Sequence, residues 1–178
     1  MVLYLFIEAL WFILPAYAAN GMAPLFKGMH TIDGGRKFRG KPLLGPGKTW
    51  EGLFFGCLIA TFVGFLQMAA LPGLPFDLSP VPLLIVNMNP LIGFVIGLGA
   101  MLGDILGSFI KRRIDLKRGK PAPVLDQIDF LFGAFLLPLA LISTIRVEWF
   151  ILMVILTPVF HLLANGVGYA LKMSDSWY

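Results

Sequence analysis

Apolar residues gather into five long stretches, at about residues 2–19, 50–71, 90–110, 127–145 and 148–171, separated by segments where charge, proline and glycine concentrate. A hydrocarbon core about 30 Å thick needs roughly 20 apolar residues of helix to cross it, so each stretch predicts a membrane span. Pro72 stops the second stretch, and Lys111, Arg112 and Arg113 follow the third. The turn around Arg146 and Glu148 is so short that the last two helices are expected to be antiparallel neighbours. Residues 72–89, with Pro72, Pro75, Pro80 and Pro82, predict a partly embedded connection. Small residues recur at helical spacing: Gly52, Gly56, Ala60 and Gly64 in the second stretch, then Gly93 and Gly97, and Gly99, Gly103 and Gly107, in the third. Such stripes let helix backbones approach closely in lipid, and they predict packing and not chemistry.

Composition agrees with this pattern. Of 178 residues, 58% are hydrophobic and only 13% charged, with a mean hydropathy of +0.84. That is more apolar surface than a soluble domain of this length could hide. The expectation is an all-α, polytopic integral membrane protein with five transmembrane helices, a single membrane-embedded domain over residues 1–178. Cys57 is the one cysteine and lies in an apolar run, which excludes a disulfide framework or a Cys-based metal site. The first stretch has no basic leader and no small-residue cleavage site, so it predicts a retained span.

Charge orients the bundle. The net charge is +4, and twelve of the fourteen basic residues fall in two loops, about 20–49 and 111–126. The first carries Lys27, Arg36, Lys37, Arg39, Lys41 and Lys48; the second carries Lys111, Arg112, Arg113, Lys117, Arg118 and Lys120. The positive-inside rule places both loops in the cytoplasm, the N-terminus outside and the C-terminus, with Lys172, inside. The partners implied are the bilayer and phosphate-rich substrates; no nucleic acid is expected.

Three clusters carry candidate chemistry. Asp104, Ser108 and Lys111 are spaced i, i+4 and i+7, on one face of a helix. An ionised carboxylate at Asp104, nearly two turns inside the membrane, costs several kcal/mol unless it is paired, metal-bound or hydrated. A salt bridge from Asp104 to Lys111 is the plain structural alternative. Asp126 and Asp129, i and i+3 where the second basic loop enters the fourth stretch, are expected on one side of the first helical turn. Helix capping explains one of them readily and two less easily. Three carboxylates without His or Cys suit a hard cation such as Mg²⁺, completed by water and substrate phosphate. In Gly45-Pro46-Gly47-Lys48-Thr49 the Walker pattern fails, because Pro42 stands where glycine is needed and no strand precedes. What remains is a Lys-Thr pair at a helix start, where free N–H groups favour an anion; positive-inside anchoring is the alternative. Trp50 reads as an interface aromatic. When the nucleophile is a phosphate oxygen it is already ionised, so fixed cations and metal carry catalysis without a general base. A membrane protein doing this needs a substrate with its tail in the bilayer.

These residues resemble a known family. Gly103-Asp104, Ser108, Lys111-Arg112, then Pro121 and Val124-Leu125-Asp126-Gln127-Ile128-Asp129, is similar to the signature of membrane CTP:phosphatidate cytidylyltransferases. Gly47-Lys48-Thr49-Trp50-Glu51-Gly52 resembles the upstream Lys-Thr-x-Glu-Gly element of the same family. The chain, from about Asn20 to Asn165, looks like the short archaeal branch, the CDP-archaeol synthases. The resemblance implies that CTP reacts with an isoprenoid-ether lipid phosphate, 2,3-bis-O-geranylgeranylglycerol 1-phosphate, in the presence of Mg²⁺, giving a CDP-lipid and pyrophosphate. It implies that Asp104, Asp126 and Asp129 hold metal, that Lys111 and Arg112 bind phosphate, that Lys48 and Thr49 close over the nucleotide, and that Ser108 orients a ligand. Pro121-Ala122-Pro123 replaces the Gly-His-Gly-Gly run of bacterial members, and Gln127 stands where arginine is usual there.

Asn20, ending the first stretch beside the basic loops, reads as a helix stop, and the resemblance implies that it hydrogen-bonds the nucleotide. Thr157, His161 and Asn165 form a polar stripe at i, i+4 and i+8. For Thr157 and His161 interhelical hydrogen bonding is expected; Asn165 is expected to line the pocket. Glu8 is expected at the far end, and Asp33 to be solvated in a mobile loop. The rival functions are an ion-coupled transporter, with Asp104 on an ion path, and a CDP-alcohol phosphotransferase, whose Asp-x-x-Asp-Gly run is broken here by Phe130.

Overall fold

The computed structural model describes residues 2–26, 28–114, 116 and 123–170, apart from the side chains of 77, 78, 123–127, 161, 162 and 164–170. Among the described residues there are five α-helices: α1 (Val2–Met22), α2 (Trp50–Ala70), α3 (Pro90–Arg113), α4 (Pro123–Leu136) and α5 (Val147–Ala170). Among the described residues, the segments Val2–Phe26, Trp50–Gly73 and Pro90–Arg113 are long and apolar enough to cross a membrane. The fourth stretch is not one continuous helix to residue 145. Pro138 cannot extend the hydrogen-bond ladder, so α4 stops at Leu136 and tightens into a 3-10 turn, Leu137–Ala140. Thr49 caps α2 by accepting from Gly52 N at 3.2 Å, and Asn89 caps α3 by accepting from Ile92 N at 2.9 Å, with Pro90 pre-set for the first turn.

Helix α3 packs on α2 along one side and on α4 along the other. Both contacts are backbone against backbone. A methyl group on Gly64 would lie 2.9 Å from Gly93 Cα, and one on Gly99 or Gly103 would overlap the backbone of Gly133 or Asp129. An aromatic core joins α1, α4 and α5, with the Phe12 ring 5.0 Å from Phe135 and 5.6 Å from Trp149. At the end of the bundle remote from the basic loops, Glu8 is buried and accepts from Leu84 N (2.8 Å), Trp149 Nε1 (2.9 Å) and Arg146 (3.3 Å). Trp11 Nε1 donates to Val86 O at 3.0 Å. The proline-rich connection after α2 is thereby seated on α1, through two 3-10 turns and an extended run.

The loop before α2 is more ordered than its sequence suggests. Asp33 is only 6% exposed, not solvated. Its carboxylate accepts from Gly35 N (3.0 Å), Leu44 N (3.0 Å) and Gly45 N (2.9 Å), closing a loop of backbone donors around one anion. Burial alone would raise the Asp33 carboxyl, but the Gly45, Leu44 and Gly35 N–H groups, with the Thr31 hydroxyl, outweigh it and hold the group below its ordinary value. A two-stranded hairpin, β1 (Lys37–Phe38) and β2 (Lys41–Pro42), interrupts the all-α pattern. Its turn residues Arg39 and Gly40 have φ of 52° and 78°, the geometry of a type I′ turn. For arginine that left-handed conformation costs about 1 kcal/mol.

Three outcomes follow. Gly93→Ala is expected to destabilise the protein by about 1–3 kcal/mol, since the added methyl meets the α2 backbone. Gly21→Ala, with open space around it, should leave the thermal midpoint in detergent unchanged or slightly higher. Asp33→Asn is expected to speed hydrogen exchange at the Gly35, Leu44 and Gly45 amides by about tenfold at neutral pH, the equivalent of one charge-assisted hydrogen bond. Because the folded carboxyl lies below its unfolded value, its stabilisation is full above the unfolded value of about 3.9 and fades as pH falls through the folded one. The difference between wild type and variant should narrow over that acidic range; equal exchange at pH 7 would reject the role of Asp33.

Candidate active site

Asp104 lies on α3 where the loop before α2 folds back over the helix. On an ideal helix Ser108 and Lys111 lie about 40° and 20° from it, so the three share a face. The ion pairs nevertheless run between elements. Lys48 Nζ donates to Asp104 Oδ2, and Lys111 Nζ donates to Asp129 Oδ2 of α4 at 3.1 Å. The intrahelical Asp104–Lys111 bridge expected as the alternative is therefore replaced by two bridges to other elements. The reason is steric: Gly107 leaves space that the Asp129 carboxylate fills, since a methyl there would overlap it. Lys111 meets Asp129 first.

Asp129 also corrects the capping reading. Helix α4 begins at Pro123, which puts Asp129 in its second turn and not at the N-terminus. Its side chain is 4% exposed, against 19% for Asp104. Asp104 is thus the more open of the two and faces a cavity of about 300 Å³ between α1, α2 and α3. Asn20, Lys48, Thr49 and Asp104 form its polar wall; Ala23, Leu53, Met101 and Ile105 form its apolar wall. A pocket of this volume suits a small ligand group. The Thr49 hydroxyl accepts from Gly52 N, which fixes the start of α2 beside the cavity. Lys48 is fixed from behind: Ile32 N donates to Lys48 O at 2.9 Å and Lys48 N to Gly45 O at 3.3 Å, on the loop that Asp33 holds.

Ser108 is buried on α3 and does not line the cavity. Arg112 donates to Leu116 O at 2.5 Å and runs beside Gly45, its Nε 3.8 Å from where a β-carbon would stand. Thr157 pairs with the Tyr17 hydroxyl at 2.7 Å, an interhelical hydrogen bond. The side chains of Asp126, Gln127, His161 and Asn165 lie outside the described residues, as do Lys27, Lys117, Arg118, Lys120, Pro121 and Lys172. The sequence reading did not anticipate Asp33, nor Glu51, which binds His30 Nδ1 at 2.5 Å. Asp33-Gly34-Gly35 is an Asx-turn signature that would have pointed to the first.

Among the described residues no three His, Cys, Asp or Glu side chains come together. Asp104 on α3 and Asp129 on α4 are each bridged to a lysine, on two helices that pack together. Their donor chemistry, carboxylate oxygen without sulfur or imidazole, fits a hard divalent cation, and Asp126 is the further oxygen donor of the expected set.

Comparison with known proteins identifies the family. The chain matches the CarS-like family, described as CDP-archaeol synthase, over residues 2–178. It is 39% identical to the CDP-archaeol synthase of Methanococcus aeolicus, covering 99% of each chain. It is 44% identical to that of Methanopyrus kandleri, over 94% of this chain and 91% of the relative. A solved structure, described as an intramembrane enzyme for archaeal membrane lipids biosynthesis, superposes with a TM-score of 0.75 at 36% identity, covering 90% of this chain and 94% of the other. Matched along nearly its whole length in sequence and in fold, the chain belongs to the CDP-archaeol synthase family, a membrane enzyme and CTP-dependent cytidylyltransferase.

Proposed function

We propose that the chain transfers CMP from CTP to 2,3-bis-O-geranylgeranylglycerol 1-phosphate, giving CDP-archaeol and pyrophosphate, with Mg²⁺, at a site on the cytoplasmic side of a multi-pass cell-membrane protein. The observation that carries this reading is the pair of carboxylate–lysine bridges on α3, Asp104–Lys48 and Asp129–Lys111, beside the cavity lined by Asn20. Family membership sets aside the transporter and the CDP-alcohol phosphotransferase.

The reaction forms a bond from a lipid phosphate oxygen to the α-phosphorus of CTP and breaks the bond from that phosphorus to the bridging oxygen of the β-phosphate. The electron pair leaves with pyrophosphate. The attacking oxygen is already anionic, so no side chain needs to remove a proton; the difficulty is bringing two polyanions together. Lys48, at the positive end of α2, and Lys111 and Arg112, at the end of α3, supply the cations for phosphate. Mg²⁺ on Asp104, Asp126 and Asp129 would supply further charge neutralisation. Lys48 can pass from Asp104 to a phosphate oxygen without being left unpaired, and Asn20 across the cavity is a hydrogen-bonding group for the nucleotide. Asn165 would orient a ligand group. The bundle is oriented by its basic loops, with the N-terminus outside.

Purified protein given labelled CTP, Mg²⁺ and a panel of ether- and ester-linked lipid phosphates should form a CDP-lipid, fastest with the geranylgeranyl ether. No product with any of them would sink the reading. Asp104→Asn and Asp129→Asn are each expected to lower turnover at least about a hundredfold. Lys48→Met should weaken CTP binding by about tenfold or more. Thermal melting in detergent separates these effects from misfolding, which matters most at the buried Asp129–Lys111 pair. Full activity in both Asp variants would reduce the carboxylates to packing groups.

A further inference from the structure

The hairpin forms a second cationic surface, on the side of α3 turned away from the site. Taking Asp104 as reference on an ideal helix, Phe109 lies about 140° and Arg113 about 180° round the axis. Arg113 holds the hairpin there: its guanidinium donates to Phe38 O at 2.7 Å and to Pro42 O, and lies over the Phe38 ring at 5.3 Å and the Phe109 ring at 5.0 Å. Lys41 Nζ donates back to Arg113 O at 3.4 Å. Between hairpin and helix is an open recess of about 470 Å³ lined by Phe38, Arg39, Lys41, Phe109 and Arg113.

We infer that this recess binds the phosphate headgroup of an anionic bilayer lipid that is not consumed in the reaction. Three observations carry the inference. The lining joins three cations to two phenylalanines, and Phe38 remains 47% exposed. This is the complement of a phosphate with an apolar chain attached, and a soluble phosphate would have no use for the two rings. Second, the recess sits at the last turns of α3, a helix apolar enough to cross a membrane and ended by Lys111, Arg112 and Arg113. Phe109 therefore falls at the edge of the hydrocarbon, and the hairpin cations at headgroup level.

The third is Arg39 itself. It occupies the first central position of a type I′ turn with φ of 52°, where asparagine or glycine is favoured. Arginine stands there against its backbone preference, and strain of that kind points to a role for the side chain. Among the described residues Arg39 has no carboxylate partner, and its guanidinium lies over the Phe38 ring at 5.5 Å. With two contacts of Arg113 given to hairpin carbonyls, Arg39 is the cation presented to an anion, with Lys41 beside it.

The turn preference supplies the test. Arg39→Asn removes the cation and puts a favoured residue in the turn, so the variant should melt at or above the wild-type temperature. Native mass spectrometry of the full chain in detergent, with phosphatidylglycerol and phosphatidylcholine at equal concentration, reads the lipid retained. Phosphatidylglycerol is a phosphodiester and differs from the phosphomonoester substrate proposed above. Wild type should retain it over phosphatidylcholine by about fivefold, and Arg39→Asn should bring the ratio close to one. Phe38→Ser should lower retention of both lipids. An unchanged ratio in Arg39→Asn, no preference in wild type, or displacement of phosphatidylglycerol by millimolar inorganic phosphate would each overturn the inference. The readout does not depend on turnover, so absence of a CDP-lipid product would fail the site reading and leave this one standing.

Discussion

Everything at the site depends on how closely α2 and α4 approach α3. Lipid offers helices no hydrophobic reason to associate, since the tails are as apolar as the side chains, so contact distance decides whether packing wins. Here the distance is that of bare backbones: Gly64 on Gly93, and Gly99 and Gly103 on Gly133 and Asp129. The same seam continues one turn further, and there Gly107 admits a carboxylate instead of a second backbone. The small-residue stripe is thus both the packing surface of α3 and the reason that Asp129 stands within reach of Lys111. A single added methyl along that line would separate the helices and the charges together.

The second requirement is to keep carboxylates charged in such surroundings. A buried pair returns little net stability, because desolvation offsets the Coulomb gain, while an unpartnered buried charge is strongly destabilising. The fold answers with two lysines that come from different elements. Lys111 comes from the end of α3 itself, and Lys48 from a loop that Asp33 helps to hold. Asp33 converts three scattered N–H groups into one anion site, and the residue three places after Gly45 is Lys48. One loop acid therefore positions the cation of another acid on a different element.

The helices were legible in the sequence because lipid imposes a length and a composition on any segment that crosses it. The end of α4 was less so, since Pro138 shortens the helix within an unbroken apolar run. Asp104 and Asp129 could be named as site residues because charge at or inside an apolar run needs a reason, Lys48 because it opens a helix in a glycine-bracketed Lys-Thr pair, and Lys111 because it shares a helix face with Asp104. Their pairing could not: helical periodicity shows neighbours on the same helix, and both bridges are made between elements. Asp33 was misread for a similar cause. Two of its partners lie eleven and twelve residues away, beyond any local turn signal. The hairpin has only two residues per strand, too few for an alternating pattern to register.

The acids also differ in how fully they are satisfied, and that separates support from chemistry better than burial does. A carboxylate offers about four acceptor positions. Glu8 takes donors from Leu84, Trp149 and Arg146, and Asp33 takes three backbone N–H groups; each is occupied by groups that hold the fold, and neither has much left to offer a ligand. Asp129 takes Lys111 and the N–H of Phe130. Asp104, among the described residues, takes Lys48 and no other donor, and it faces a cavity. Acceptor capacity left open in a membrane interior is unfavourable unless something fills it. Among these four acids the distribution is therefore graded along the bundle: several donors where the structure must be fixed, and the fewest where α3 meets the loop of Lys48. A polyanion bringing its own cation would complete Asp104 and receive Lys48 in exchange, which makes the resting ion pair a placeholder for the substrate.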